Sequence, residues 1–183
     1  MPDLSDGRTP EGVWRRVEEE LARHLPKVVH SLRPGATRDD LDRLEAKIEL
    51  SVPDEVRAYW QVHDGQVDPR STTTLVGTQG LLSTEGIAEV WEIRTDVWRS
   101  VCDDVKDWWW PVLIPITDAN GDGFCVHSES GAVYYHYHDD TLSDVLYPSV
   151  GRWFLAIAEA LESGRFTIEH GAIWPIPPLD RPT

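Results

Sequence analysis

The sequence predicts an α+β fold: a mostly antiparallel sheet, built as a meander, covered by N-terminal helices and a C-terminal helix. Three observations lead there. From Glu11 to Val101 apolar residues recur mainly every three or four positions, the period of amphipathic helices. At Val112, Ile114 and Ile116 the period drops to two, and turn residues then punctuate the chain as far as His138. From Ser149 to Ser163 the helical period returns. Helices, then strands, then one more helix place the helices over one face of a sheet.

The elements follow in order. Trp14, Val17, Leu21 and Leu25 share one face and predict a helix over 11–25, which Pro26 ends or kinks. Val28, Val29 and Leu32 suit a further short turn of helix. After the breaker Pro34-Gly35-Ala36, Thr37 is a good N-cap, with Asp39 and Asp40 favourably placed in the first turn. Leu41, Leu44 and Ile48 give the stripe of a helix over about 38–49. Val52-Pro53-Asp54-Glu55 starts a third helix, whose Val56, Tyr59 and Trp60 face inward and which stops near His63-Asp64-Gly65. Residues 66–80 read as a loop, with short strands expected around 73–76 and 80–82. Ser83 or Thr84 caps a helix over about 84–101 carrying Ile87, Val90, Trp91, Val97 and Trp98. Strands are expected at 112–116, 124–128 and 132–138, separated by turns at 118–123 and 129–131. A last helix over 149–163 presents Val150, Trp153, Phe154, Ile157 and Leu161, and an edge strand is expected at 165–169.

A length of 183 residues suits one domain. Residues 1–10 are expected to be a flexible leader, 11–170 the domain, and 171–183 an extended, irregular tail rich in proline. No apolar run approaches the length of a membrane helix. The N-terminus has no basic or apolar signal segment, and two cysteines, Cys102 and Cys125, make no disulfide framework. These features point to a cytoplasmic protein with reduced thiols.

Seventeen basic residues against 32 acidic ones give a net charge of −15. Such a surface repels nucleic acid and anionic membranes and attracts a basic partner. Between Ser100 and Gly151 nine acids face one cation, Lys106, so that stretch alone carries −8. It also holds Trp108-Trp109-Trp110, three bulky rings that cannot all face one side of a strand.

Three constellations in this stretch bear on chemistry. Asp118-x-Asn120-x-Asp122-Gly123 followed by Glu129 fits a calcium-loop pattern, which offers a hard cation several oxygens. Its flanks read as strands rather than helices, however, and Asp, Asn and Gly are also what a hairpin turn requires. These residues are therefore weak metal candidates. In the following hairpin, a two-residue loop at Ser130-Gly131 would put Glu129 opposite Ala132. Phe124, Val126, Val133, Tyr135 and Tyr137 then share an apolar face. The other face collects Cys125, His127, Tyr134, His136 and His138. One Cys and three His could hold zinc. A wet face that binds a partner, with Asp139 and Asp140 beside it, fits the composition better. Cys125 lies mid-strand with no helix N-terminus or oxyanion hole, so it makes a poor nucleophile. No phosphate loop, nucleophile elbow or dinucleotide fingerprint is present, and no cofactor is assigned.

The order of signals resembles the SUKH superfamily, the Smi/Knr-type domain. The matching pieces are the Trp14 helix, Pro34-Gly35-Ala36-Thr37, Val52-Pro53-Asp54-Glu55, His63-Asp64-Gly65-Gln66, Gly80-Leu81-Leu82, the Trp110–Ile116 run, Asp118–Gly123, the Cys125 hairpin and the Trp153-Phe154-Leu155 helix. The resemblance covers about residues 11–170. It implies a SUKH-like α+β fold with no recognised catalytic residues. Bacterial members are associated with immunity proteins that neutralise toxins, often nucleases, and fungal members with regulation of cell-wall synthesis. Three functions are thus carried forward. The leading one is a non-enzymatic immunity-type protein that binds a basic toxin through Tyr134, His136, His138, Asp139, Asp140 and His127. The others are a regulatory scaffold of the Smi/Knr type and a metal-dependent hydrolase.

Overall fold

The computed structural model describes residues 8–69, 74–101, 108–169 and 172–175. Helix α1 (Pro10–His24) starts where Thr9 accepts the Gly12 amide on its hydroxyl, with proline at the first helical position. Helix α2 (Pro26–Ser31) follows after a single joint at Leu25. Helix α3 (Arg38–Ile48) opens on a capping box in which Thr37 and Asp40 each accept the other's backbone N–H. Helix α4 (Asp54–Val62) and helix α5 (Thr84–Val101) flank strand β1 (Gly80–Leu81). Strands β2 (Leu113–Pro115), β3 (Thr117–Asp118), β4 (Gly123–His127) and β5 (Val133–His136) come next. Helix α6 (Val150–Glu162) is capped by Ser149, and strands β6 (Phe166–Glu169) and β7 (Ala172–Pro175) form a hairpin after it.

The expected α+β fold with an antiparallel meander is therefore present. β2, β4 and β5 pair antiparallel, and β1 pairs with β3. Ile116 joins the two ladders: it accepts the Leu82 amide at 3.0 Å and donates its own to Phe124 at 2.8 Å. The meander therefore runs from β1 through the 113–118 segment to β4 and β5 without a break in bonding.

One face of this sheet meets the main core. Phe124, Val126 and Val133 are buried there, and Phe124 lies 5.2 Å from the ring of Trp153 on α6. Helices α1, α4 and α6 close the core around an aromatic cluster. Tyr59 stacks on Phe154 at 4.5 Å, and Trp14 sits 4.8 Å from the same ring. Trp14 donates its indole N–H to Tyr59 O, and Trp60 donates its own to Leu82 O. Both Trp153 and Phe154 are fully buried, as the sequence predicts.

The joint between helices and sheet is polar. His63 donates Nδ1–H to Arg33 O, and its Nε2 lies 2.8 Å from Glu18 on α1. Asp64 accepts the Thr84 amide at 2.7 Å and so holds the start of α5. Gly65, at φ +69°, lets the chain turn where any Cβ would strike the Leu82 backbone. Gln66, 1% exposed, accepts the amides of Leu75 and Leu81 and donates to Ser31. The motif that precedes α3 lies across this joint. Ala36 donates to Trp60 O, Asp64 donates to Pro34 O, and a Cβ on Gly35 would stand 1.8 Å from Gln61 O.

Three expectations need correction. Val97 does not face the core: it is 43% exposed, and Arg94 takes the inward position instead. Around Val76 the described residues show a one-residue bridge to Gln79 rather than a strand. Residues 172–175, expected to be irregular, pair with β6 because Phe166–Glu169 offers them a ladder.

The close approach at Gly35 and the ring stack at Phe154 each set a testable cost. Gly35→Ala forces the 34–36 segment off α4 and should lower stability by about 1–3 kcal/mol. Phe154→Ala empties the centre of the aromatic cluster and should cost about 3–5 kcal/mol. Urea unfolding of both variants against the parent protein measures these losses.

Candidate functional site

The β4–β5 hairpin carries most of the residues singled out from the sequence. Its register differs from the expected one. His127 donates to Ala132 O at 2.9 Å, so the loop is Ser128–Gly131 rather than Ser130-Gly131 alone. Phe124 pairs with Tyr135, Cys125 with Tyr134 and Val126 with Val133. The shift is two residues, a whole pleat, so every side chain keeps its expected face.

The face away from the main core forms a second, smaller cluster. Trp109, Leu113 and Cys125 are buried at its centre, and Trp91, Trp98, Trp108, Trp110, Tyr134 and Leu142 pack around them. Tyr134 meets Trp110 edge to face at 5.9 Å and is half-buried. Trp109 donates its indole N–H to Thr95, and Trp108 donates to His138 O.

A buried arginine organises this side of the sheet. Arg94, on α5, is 4% exposed. It donates to Asp118 at 3.2 Å, to Gly121 O at 2.8 Å and to Cys125 Sγ at 3.3 Å, and its guanidinium lies 5.4 Å from the Trp109 ring centre. Sequence reasoning missed it, yet a signal was there. Position 94 falls four after Val90 and four before Trp98, on the apolar stripe. A cation in such a place must find a carboxylate.

The weak metal candidates Asp118, Asn120, Asp122 and Glu129 are not drawn together by this arrangement. Asn120 (φ 55°) and Gly121 (φ 100°) form a two-residue turn between β3 and β4, closed by paired bonds between Ala119 and Asp122. Asp118 points to Arg94, Asp122 to His138, and Glu129 sits exposed in the next loop. Among the described residues, no group of three or more His, Cys, Asp or Glu side chains is placed to hold a metal ion. Burial pushes the Cys125 thiol up to about 11, against the pull of Arg94, which favours the neutral thiol near neutral pH.

The three expected histidines have three different fates. His127 accepts the amides of Glu129 and Ser130 on Nδ1 and so caps its own loop. His136 is fully buried between Trp108 and Trp109, 4.9 and 5.4 Å from their ring centres, and offers no surface to a partner. It donates Nδ1–H to Gly121 O at 3.0 Å, and burial, with Arg94 beside it, lowers its pKa to about 4. His138 is exposed and bonds Asp122 twice, from its backbone N–H and from Nδ1–H, both at 2.8 Å. The bond from Asp122 raises His138 above the ordinary histidine range. Burial alone would raise the Asp122 carboxyl, but the bonds from His138 outweigh it and hold that carboxyl low.

Beyond His138 the chain forms an exposed acidic loop. Tyr137, Leu142 and the run from Asp139 to Asp144 line an open cleft of about 370 Å³. Asp139, Asp140 and Asp144 are exposed, and among the described residues none pairs with a Lys or Arg. Leu142 reaches back to the tryptophan cluster. The acids expected at 103, 104 and 107, with Cys102 and Lys106, lie outside the described residues. The arrangement presents exposed carboxylates beside aromatic and apolar surface.

Comparison with known proteins gives the relatives. Residues 35–156 match the SMI1 / KNR4 family (SUKH-1). The chain is 30% identical over 118 residues to a KNR4/SMI1 homolog of Kluyveromyces lactis, covering 58% of this chain and 21% of that one. It is 30% identical over 95 residues to the cell wall assembly regulator SMI1 of Saccharomyces cerevisiae, covering 51% and 18%. A shorter match, 40% over 53 residues, joins it to mouse F-box only protein 3, covering 29% and 11%. The chain thus spans about a fifth or less of the length of these curated relatives.

The buried His136 has a consequence for pH. Its folded pKa lies below the ordinary value of 6.5, so the unfolded chain takes up the proton first as pH falls. Stability should decline between about pH 6.5 and about pH 4, by about 3 kcal/mol from this group, and the contribution flattens below that. Denaturant midpoints measured across this range check it. In His136→Phe this part of the slope disappears.

Proposed function

The chain belongs to the SMI1 / KNR4 (SUKH-1) family, and from that membership we propose that it is a non-enzymatic domain that binds another protein through its acidic loop. The observation that carries this reading is the cleft between Tyr137 and Asp144, where three exposed carboxylates have no Lys or Arg partner among the described residues and lie next to a tryptophan-rich cluster. Carboxylates held this way steer a basic surface to the site, and the apolar flank supplies contact area once it arrives. His138, Asp139, Asp140 and the half-buried Tyr134 remain the proposed contact residues from the sequence. Tyr137, Leu142 and Asp144 join them.

Two kinds of partner fit. The relative named cell wall assembly regulator favours a regulatory scaffold that binds an endogenous protein. Capture of a basic toxin in the manner of an immunity protein rests on the net charge of −15 and on the acidic loop. In either case the free, buried thiol of Cys125 suits the reducing cytoplasm, and among the described residues no helix is long and apolar enough to cross a membrane.

The test is a double charge reversal. Asp139→Lys with Asp140→Lys changes only exposed side chains, so the fold should persist. Association with the partner, recovered from the source cell, should slow by about tenfold and lose most of its dependence on salt. An association rate that ignores both the reversal and ionic strength would move the binding surface elsewhere.

A further inference from the structure

The carbonyl oxygen of Gly121 is the meeting point of two side chains from different elements. Arg94 of α5 donates to it at 2.8 Å, and His136 at the end of β5 donates to it at 3.0 Å. The next residue of the same turn, Asp122, accepts both the backbone N–H and the Nδ1–H of His138 on one carboxylate oxygen. A single two-residue turn therefore grips alternate residues, 136 and 138, and the acidic loop begins one residue later. The fit is close: a Cβ on Gly121 would stand 3.0 Å from the Cβ of His138.

Arg94 in turn has no freedom. One terminal nitrogen spans Asp118 and Gly121 O, the other meets Cys125, and the guanidinium carbon lies over the Trp109 ring. Only a planar fork with several donors reaches these acceptors together, and an ammonium group does not.

We propose that Arg94 is a positioning residue for the acidic loop: by fixing the Asn120-Gly121 turn against α5, it sets where His138 stands and hence where the carboxylates of Asp139, Asp140 and Asp144 are presented. The functional half of this proposal rests on the reading of that loop as the binding surface. The positioning half does not, and is measured without a partner.

The experiment uses the full chain and Arg94→Lys, which keeps the charge and loses the fork. Amide hydrogen exchange over residues 138–144 should quicken by about tenfold or more, while α1, α4 and α6 keep their protection. The NMR titration of His138 should move down toward that of a free histidine, because Asp122 no longer holds it. Asp122→Asn, which leaves Arg94 untouched, should reproduce both effects. Unchanged loop exchange and an unchanged His138 titration in folded Arg94→Lys would overturn the proposal. If that variant does not fold, the parent protein decides. The His138 and Asp122 amides should open together, within about threefold, and a His138 amide that opens about a hundredfold more often overturns the proposal. With a partner in hand, Arg94→Lys should weaken binding by about fivefold or more although no surface charge changes. A released loop with unchanged binding would instead refute the loop as the interface while leaving Arg94 in its positioning role.

Discussion

The structure hangs on the buried polar joint from His63 to Gln66. Four consecutive residues there connect α1, the chain before α3, the start of α5 and strand β1. The joint lies where helices end and the sheet begins, so many backbone groups would otherwise be stranded in the core. Each one left unpaired would cost about 1–3 kcal/mol. Gln66 alone satisfies two buried amides, and Asp64 a third. Burial raises the Asp64 carboxyl, while the Thr84 amide and Arg33 draw it part of the way back. Gly35 and Gly65 matter for the same reason: both allow backbones to meet at distances a Cβ forbids. The aromatic cluster of Trp14, Tyr59 and Phe154 packs between helices that this joint holds in line.

The sheet separates two environments. On one face Phe124, Val126 and Val133 enter an aliphatic and aromatic core shared with the helices. On the other, a smaller cluster of tryptophans surrounds a buried cation, a buried thiol and a buried imidazole. Such mixed packing is held by specific bonds as well as by burial, so its geometry is more sharply defined than that of a purely apolar layer. The acidic loop grows from this second side, and the tryptophan run at 108–110 divides its labour there. Trp109 fills the centre, while Trp108 and Trp110 seal the edge against His138 and Tyr134.

Sequence reading located the elements because their signals are local. Caps at Thr37 and Ser149, the proline that starts α1 and the alternation at 112–116 depend only on near neighbours. The two faces of the β4–β5 hairpin also survived a wrong loop length, since an even shift preserves the pleat. Partnerships across the fold were less accessible. Arg94 lies 24 residues from Asp118 and 27 from Gly121, and nothing near it in sequence names them. The same limit applies to His136: alternation gives its face but not the two tryptophans that enclose it. The loop at 118–123 satisfies a ligand pattern and a turn pattern together in one dimension, and the positive φ angles of Asn120 and Gly121 show the turn in three. Strand β7 was missed because the composition of that segment resembles a tail, whereas pairing with β6 depends on what lies beside it.

The neighbourhood of the first and last helices has a bearing on biosynthesis. Arg16 on α1 pairs with Glu162 on α6 across 146 residues, and Trp14 completes its packing against Phe154. At a ribosomal rate of roughly 5–20 residues per second, α1 waits on the order of ten seconds for α6 to be made. During that interval the apolar stripe of α1, Trp14 included, lies mainly against α2 and α4 among the described elements. The cost of closing so long a loop falls late, after the other helices and the meander exist. Emergence of α6 from the ribosome is therefore the earliest point at which the aromatic core can close.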